Sequence, residues 1–335
     1  MTQSSLSVSA PARLHFGLFS VGPVEANAPY PQYGGMGLML NWPRQVLVAQ
    51  PADELKIIGP DRPEIEKIIE NWFGFYSTAI FPKQSIMAPS FWQLPICLRQ
   101  SQALPRHIGL GSGTQLGFAT VTLLNRFFKL PFLGPLETAV QTGRGKRSAI
   151  GSYGFFQGGF LVDRGKCSAA EVAQLDFQTS FPTTWPILIA FPKQRQGIAG
   201  VAEDEAFSQI AATPHSHRES LIELTKQVIV PAVLKADYVG FAESIYQFGR
   251  GSGRHFAAVQ GGDYNGPQVT RLIQQIRQLG VKGVGQSSWG PCVYAISEDQ
   301  SQVEWLKDRL EAQWHDHYQF FITNGDNRGA RIASV

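Results

Sequence analysis

Three stretches of this chain combine glycine with hydroxyl, amide or basic side chains in a way suited to binding phosphate. The first is Gly109-Leu110-Gly111-Ser112-Gly113-Thr114, followed by apolar residues at helical spacing: Leu116, Ala119, Thr120, Leu123, Leu124 and Phe127. Glycines let a backbone approach a ligand closely, and the first N–H groups of the following helix have no internal partner. Those groups and the helix dipole favour an anion. The loop is not a Walker A motif, because Gly-Lys-Ser/Thr does not follow, and it lacks the G-x-G-x-x-G order of a dinucleotide fingerprint. The bland alternative is a turn that only caps a buried helix.

The second stretch is GRGKRSAIGSYGFFQGGFLVDRG, residues 143–165, which sets Arg144, Lys146 and Arg147 among glycines and serines. Such a loop suits a phosphate or pyrophosphate clamp, since Arg makes bidentate contacts and backbone N–H groups add others. A solvated basic loop is the alternative, but solubility alone does not call for that density of glycine. The third is VKGVGQSSWGPCVYAI, residues 281–296. Gln286, Ser287 and Ser288 offer neutral hydrogen-bonding groups, and Trp289 offers either a flat face for an aromatic ligand or a core side chain. Near the start, Arg13 and His15 fall on one side of an extended segment. Both could reach a site, or they could be an edge-strand arginine and a satisfied histidine. Glu203, Asp204 and Glu205 form an acidic triplet that could hold Mg²⁺ on substrate phosphates or simply begin a solvated helix.

The elements that must position these groups follow from periodicity. Leu6–Ala12 alternates as a strand, Leu38–Leu40 and Gln45–Gln50 read as two more on either side of a Pro43 turn, and residues 85–98 as another. Ile65, Ile68, Ile69, Trp72 and Phe73 mark a helix over 61–76. A short helix covers 136–142, and a strand covers 158–163. Pro186–Phe191 is a buried strand. Helices are expected over 215–235, interrupted at Pro231, over 237–248, ended by Gly249-Arg250-Gly251-Ser252-Gly253, and over 267–279 and 301–314. His317–Thr323 is the last strand, and 324–331 a polar tail. The mixture of helices and strands without regular alternation is an α+β pattern. A boundary near Pro182 divides the chain into residues 1–182 and 183–335.

Composition narrows the class. The chain has 335 residues, 43% hydrophobic, with a net charge of +3 and three cysteines. The charge and the lack of a long basic run argue against nucleic acid as a partner. Cys97, Cys167 and Cys292 form neither a metal pattern nor a disulfide framework. No apolar run reaches the ~20 residues that span a bilayer. No signal peptide is recognisable, so a soluble cytoplasmic protein is expected.

SAPARLHFGL, PHIGLGSGTQL and GVGQSSWGPCVYAI, in this order, resemble the three motifs of the GHMP kinase superfamily. That resemblance implies a two-lobed α+β fold, an N-terminal β-α-β lobe with the phosphate loop and a C-terminal ferredoxin-like lobe. ARLHFGL, GLGSGTQL, GRGKRSAIG, GQSSWGP and NRGARI together are similar to the β-ribofuranosylaminobenzene 5′-phosphate synthase family. The family's reaction, as the resemblance implies, joins phosphoribosyl pyrophosphate to 4-aminobenzoate or 4-hydroxybenzoate. It releases CO₂ and pyrophosphate and leaves a ribosyl–aryl C-glycoside for methanopterin-type cofactor synthesis. Mg²⁺ is the implied cofactor, with its protein ligands unassigned, and a homodimer the implied assembly.

Departures from the kinase pattern agree. Gly113-Thr114 stands where kinases usually carry Ser-Ala, and RSAIGSYG has no carboxylate where many of them place a base aspartate. The acidic loop usual in phosphoribosyltransferases is also missing. Pyrophosphate would then be held by Gly109, Gly111, Ser112, Gly113 and Thr114 with Arg144, Lys146 and Arg147. Arg13 or His15 would hold the benzoate carboxylate or a phosphate, and Gln286, Ser287 and Ser288 would orient the sugar or ring. The alternatives are an ATP-dependent small-molecule kinase and a non-catalytic nucleotide- or phosphate-binding protein.

Overall fold

LSVSAPARLHFGL forms β1 (Leu6–Leu18), which pairs antiparallel along almost all its length with β2 (Gly35–Pro51). The computed structural model describes residues 5–23, 30–80, 90–194, 205, 207 and 210–335. The two strands expected on either side of Pro43 are one. The register shifts opposite Pro11 and Ala12, and residues 41–43 sit in the resulting bulge with a cis Trp42–Pro43 peptide. A bulge is one of the few places where a sheet accepts a residue without an N–H.

The first sheet adds β3 (Lys56–Ile58), β4 (Ile96–Gln102), β5 (Phe160–Asp163) and β6 (Leu175–Thr179). A second sheet contains β7 (Ile187–Pro192), β8 (Gly283–Gln286), β9 (Val293–Ile296) and β10 (Tyr318–Thr323). Its order is β10-β7-β9-β8, all antiparallel, with helices between β7 and β8 and between β9 and β10. That is the ferredoxin-like arrangement, so the fold is the expected two-lobed α+β.

The polar tail is no free tail. After β10 the chain crosses back to the first sheet and ends as β11 (Arg331–Ser334) on the outer edge of β1. Asp326 anchors the crossing: it is buried, pairs with Arg44, and accepts N–H bonds from Arg328 and Gly329, both at 2.8 Å.

Two of the buried cores bear on the site. Helix α1 (Arg62–Ile80) lays Ile65, Ile69 and Trp72 against helix α2 (Ser112–Phe127), which contributes Leu116, Leu123 and Phe127. Each such side chain, fully buried, contributes about 1.5–3 kcal/mol. The other core joins the lobes: Leu14, Phe16 and Phe160 of the first sheet meet Ile187, Ile189 and Tyr294 of the second, with Phe241, Ile245 and Phe248 between. The lobes are therefore held in a defined relation at the seam where the glycine-rich stretches lie.

Two helical expectations need correction. The run Gly249–Gly253 does not end its helix, which continues from Tyr238 to Gly253. The glycines are there for close packing: a Cβ on Gly251 would lie 2.8 Å from Leu221 Cδ2, and one on Gly253 would strike the Asp263 carbonyl. Pro231 does not simply interrupt 215–235 either, because a π-helical turn at Thr225–Ile229 leads into helix Val230–Lys235 and places the proline in its first turn. No helix among the described residues is long and apolar enough to cross a membrane.

Candidate active site

Helix α2 begins where the first glycine loop ends. Gly111 is its N-cap, in the left-handed region at φ 74°, and its carbonyl accepts from the Thr114 and Gln115 N–H groups at 3.1 Å. The Ser112 and Gly113 N–H groups lie in the first turn, where no intrahelical carbonyl is within reach. Two arginines from separate elements close on this turn. A Cβ on Gly111 would lie 2.7 Å from Arg13 Cγ, so the Arg13 side chain runs across the N-cap. The position a Gly113 Cβ would take is 3.0 Å from both terminal nitrogens of Arg144, which follows helix α3 (Pro135–Thr142). Two guanidinium groups at one helix N-terminus make a site for a dianionic phosphate.

Ser287 ties β1, the first glycine loop and the turn after β8 together. Its hydroxyl donates to the Gly109 carbonyl at 2.7 Å and accepts from the His15 N–H at 3.0 Å. The Ser288 N–H donates to the His15 carbonyl at 2.7 Å, and the Arg13 N–H to the Leu110 carbonyl at 3.1 Å. Gly109, at φ 94°, is packed so tightly that a Cβ would run into the Ser287 carbonyl oxygen. The seam is thus a backbone junction of β1, the first loop and the turn after β8.

Several expected site residues serve this junction rather than facing a ligand. Ser287 is fully buried with its hydroxyl engaged twice. The Gln286 side chain accepts from the Asn265 N–H at 2.7 Å and donates to the Ser288 carbonyl at 3.0 Å. The His15 ring is buried against Gly35. Burial first, and then the neighbouring Arg13 charge, hold its pKa well below the usual imidazole value. A neutral ring there is a poor partner for a carboxylate.

The basic loop meets the site from the other side. Arg144 reaches α2, while the Arg147 guanidinium stacks on Phe207, 3.7 Å from the ring centroid. Phe207 in turn packs edge-on against Trp289, centroids 5.2 Å apart. Trp289 is buried in this aromatic cluster with Phe256. Lys146 and Arg147 both repel the Lys166 ammonium. Burial, and to a lesser degree that repulsion, lower its pKa against the pull of Glu171, and the ammonium donates to the Ala169 carbonyl at 3.1 Å and the Glu171 carbonyl at 3.3 Å.

Asp163 escaped notice in the sequence, where it is only the polar end of an apolar strand. It is fully buried and accepts from Ser148 Oγ at 2.7 Å, the Ala149 N–H at 2.9 Å and the Gly165 N–H at 3.0 Å. Burial raises its pKa to about 6, against those three hydrogen bonds and the Arg13 charge. Helix α4 (Ile150–Gln157), also unexpected, starts at this carboxylate. Gly151 in its first turn lies beside Arg13 and Thr114, where a Cβ would be 3.5 Å and 3.4 Å from their nearest atoms. The residue facing the phosphate loop from α4 therefore brings no carboxylate.

Among the described residues no group of three His, Cys, Asp or Glu side chains could hold a metal ion. Asp163 is committed to its donors. Glu203 and Asp204 lie outside the described residues, and Glu205 is exposed.

A model described as GHMP kinases C terminal matches residues 229–316. Solved structures share the fold across the chain. A putative sugar kinase from Campylobacter jejuni is 13% identical with a TM-score of 0.66, covering 100% of both chains. A homoserine kinase from Cytophaga hutchinsonii is 14% identical with a TM-score of 0.65, covering 99% of this chain and 98% of that one. Curated relatives are more specific. The β-ribofuranosylphenol 5′-phosphate synthase of Methanothermobacter thermautotrophicus is 27% identical over 97% of this chain and 98% of its own length. The synthase of the same name from Methanocaldococcus jannaschii is 26% identical over 97% and 99%. The chain is a homologue of these synthases. Similarity to them runs through both lobes.

Proposed function

We propose that this protein is a decarboxylating phosphoribosyltransferase. It condenses phosphoribosyl pyrophosphate with a 4-substituted benzoate to give a β-ribofuranosyl-aryl 5′-phosphate for tetrahydromethanopterin synthesis. The observation that carries this reading is the convergence of Arg13 and Arg144 on the first turn of α2, with no carboxylate on α4 facing the loop, in a homologue of the synthases. A kinase that deprotonates a hydroxyl wants a base at that place; a glycosyl transfer to carbon does not.

The chemistry follows from the charges. As the bond from ribose C1 to the pyrophosphate oxygen breaks, the leaving group gains charge and the sugar becomes oxocarbenium-like. The α2 N-terminus, Arg13 and Arg144 stabilise the departing pyrophosphate as it forms, with Lys146 and Arg147 adjacent. The ring carbon bearing the carboxylate attacks C1. The bond to CO₂ then breaks and returns its electron pair to the ring, which restores aromaticity without a protein base. Holding the two faces together supplies much of the rate. Arg147, its guanidinium stacked on Phe207, adds positive charge from the basic loop.

Mg²⁺, which binds pyrophosphate in water, would arrive held mainly by the donor's own phosphates, because the described residues offer it no acidic cage. The relatives' name points to a phenol product, hence 4-hydroxybenzoate as acceptor, with 4-aminobenzoate the competing choice. Carboxyl-labelled versions of both acids, each with phosphoribosyl pyrophosphate and Mg²⁺, test this directly. Labelled CO₂ from the hydroxy acid at the higher kcat/KM is expected, and preference for the amino acid would reverse the acceptor assignment.

A further inference from the structure

Asp163 joins the exit of the basic loop to the turn that precedes Lys166. Through Oδ2 it accepts from Ser148 and Ala149, the residues directly after Arg147. Through Oδ1 it accepts from the N–H of Gly165, the residue directly before Lys166. Ser148 Oγ also accepts from the Ile150 N–H at 3.3 Å, so the carboxylate and its serine partner together cap helix α4. Arg13 on β1 supplies the facing positive charge, and Tyr153 on α4 is the other titratable group near the carboxylate. The carboxylate itself is fully buried and Ser148 partly so, a setting where charge-assisted hydrogen bonds are strong and a loose partner is costly.

We propose that Asp163 is a positioning residue for the pyrophosphate site: a buried latch that ties the exit of the basic loop to the turn at Gly165, and so aims Arg147 at the bound anion. It touches no substrate. This rests on reading the α2 N-terminus and the basic loop as the pyrophosphate site.

Electrostatics and positioning predict opposite signs, which makes the latch testable. Asp163→Asn removes a negative charge beside a cation cluster, so charge alone would tighten anion binding. A loosened latch weakens it. Binding of inorganic pyrophosphate to the full-length protein is measured by calorimetry for the wild type, Asp163→Asn, Ser148→Ala, Arg147→Ala and the Asp163→Asn/Arg147→Ala double variant. The expected result is about tenfold weaker binding for Asp163→Asn and a smaller loss for Ser148→Ala, in line with losing charge-assisted bonds that hold the loop. The double variant is expected to bind about as Arg147→Ala does, because the latch acts through that loop.

Ser148→Ala removes one of the three bonds and keeps every charge, so it carries the test if Asp163→Asn fails to fold. Unchanged or tighter binding in folded Asp163→Asn, normal binding in Ser148→Ala, or additive losses in the double variant would each overturn the latch. Failure of the wild type to bind pyrophosphate would overturn it too. Failure of the proposed activity shows separately, as absent CO₂ release from a wild type that binds pyrophosphate.

Discussion

The two sides of the proposed pyrophosphate site are built by different means. On one side, β1, the Gly109 loop and the turn after β8 are locked by main-chain contacts and one buried hydroxyl, Ser287. On the other, the basic loop is tied down at its exit by one buried carboxylate, Asp163. The first side is rigid because backbones touch and leave no room for a side chain. The second depends on a few charged hydrogen bonds, so it can place long cationic side chains that a tight backbone junction could not carry. Phosphate recognition thus divides into a fixed cradle and an aimed clamp.

Breaking the cradle is expected to cost most. Gly109→Ala puts a Cβ onto the Ser287 carbonyl at a φ that L-residues rarely adopt. A loss of more than about 3 kcal/mol in urea unfolding, or failure to fold, is expected. Stability near that of the wild type would mean the junction is looser than its geometry. In the clamp, Arg147→Ala is expected to lower kcat/KM about a hundredfold, the scale of one lost charge stabiliser, with an unchanged unfolding midpoint. Near-normal kinetics would remove Arg147 from the site. Ser287→Ala should cost about 1–3 kcal/mol of stability by leaving the buried His15 N–H unpaired, with turnover falling less than in Arg147→Ala. The reverse ranking would make Ser287 a ligand group after all.

The smallest effect sharpens the comparison at the outer end of the seam. His255 Nδ1 lies 3.1 Å from Thr213 Oγ1 and Nε2 lies 3.3 Å from the Leu18 carbonyl, with His217 packed against the ring. Burial, then His217, lower its pKa from 6.5 to about 4. The folded state therefore resists a proton that the unfolded chain accepts. Stability from this group is complete above pH 6.5 and is lost as pH falls toward 4, by about 3 kcal/mol. Asp163 works the other way: its raised pKa favours the folded state as pH falls from about 6 toward 4. Urea unfolding of His255→Asn against the wild type from pH 7 to pH 4 separates the two. The variant is expected to lose less stability over that window, and parallel curves would mean His255 is not held neutral.

The cradle was legible in sequence because its signal is local. Glycines, a hydroxyl and a 3.6-residue apolar period lie side by side, and α2 begins where they predict. Two strands of the second sheet, β7 and β10, and the helix over 301–314 also follow from the sequence pattern. The latch was not legible, because Asp163 finds Ser148 only after α4 folds back, and α4 has little amphipathic pattern to announce it. Hydroxyl and amide groups misled for a related reason. Ser287 and Gln286 look like ligand contacts in a loop, but they spend their hydrogen bonds on Gly109, His15, Asn265 and Ser288. The glycines at 249–253 read as a stop, whereas Leu221 and Asp263 require them for close packing. In each case the deciding partner is distant in sequence.

The most direct test of the central claim is release of labelled CO₂ from carboxyl-labelled 4-hydroxybenzoate by the purified wild type with Mg²⁺. Release that requires phosphoribosyl pyrophosphate, with pyrophosphate formed in equal amount, is the predicted result. No release, with ATP instead consumed in the presence of an alcohol acceptor, would contradict it and assign the same cradle to a kinase.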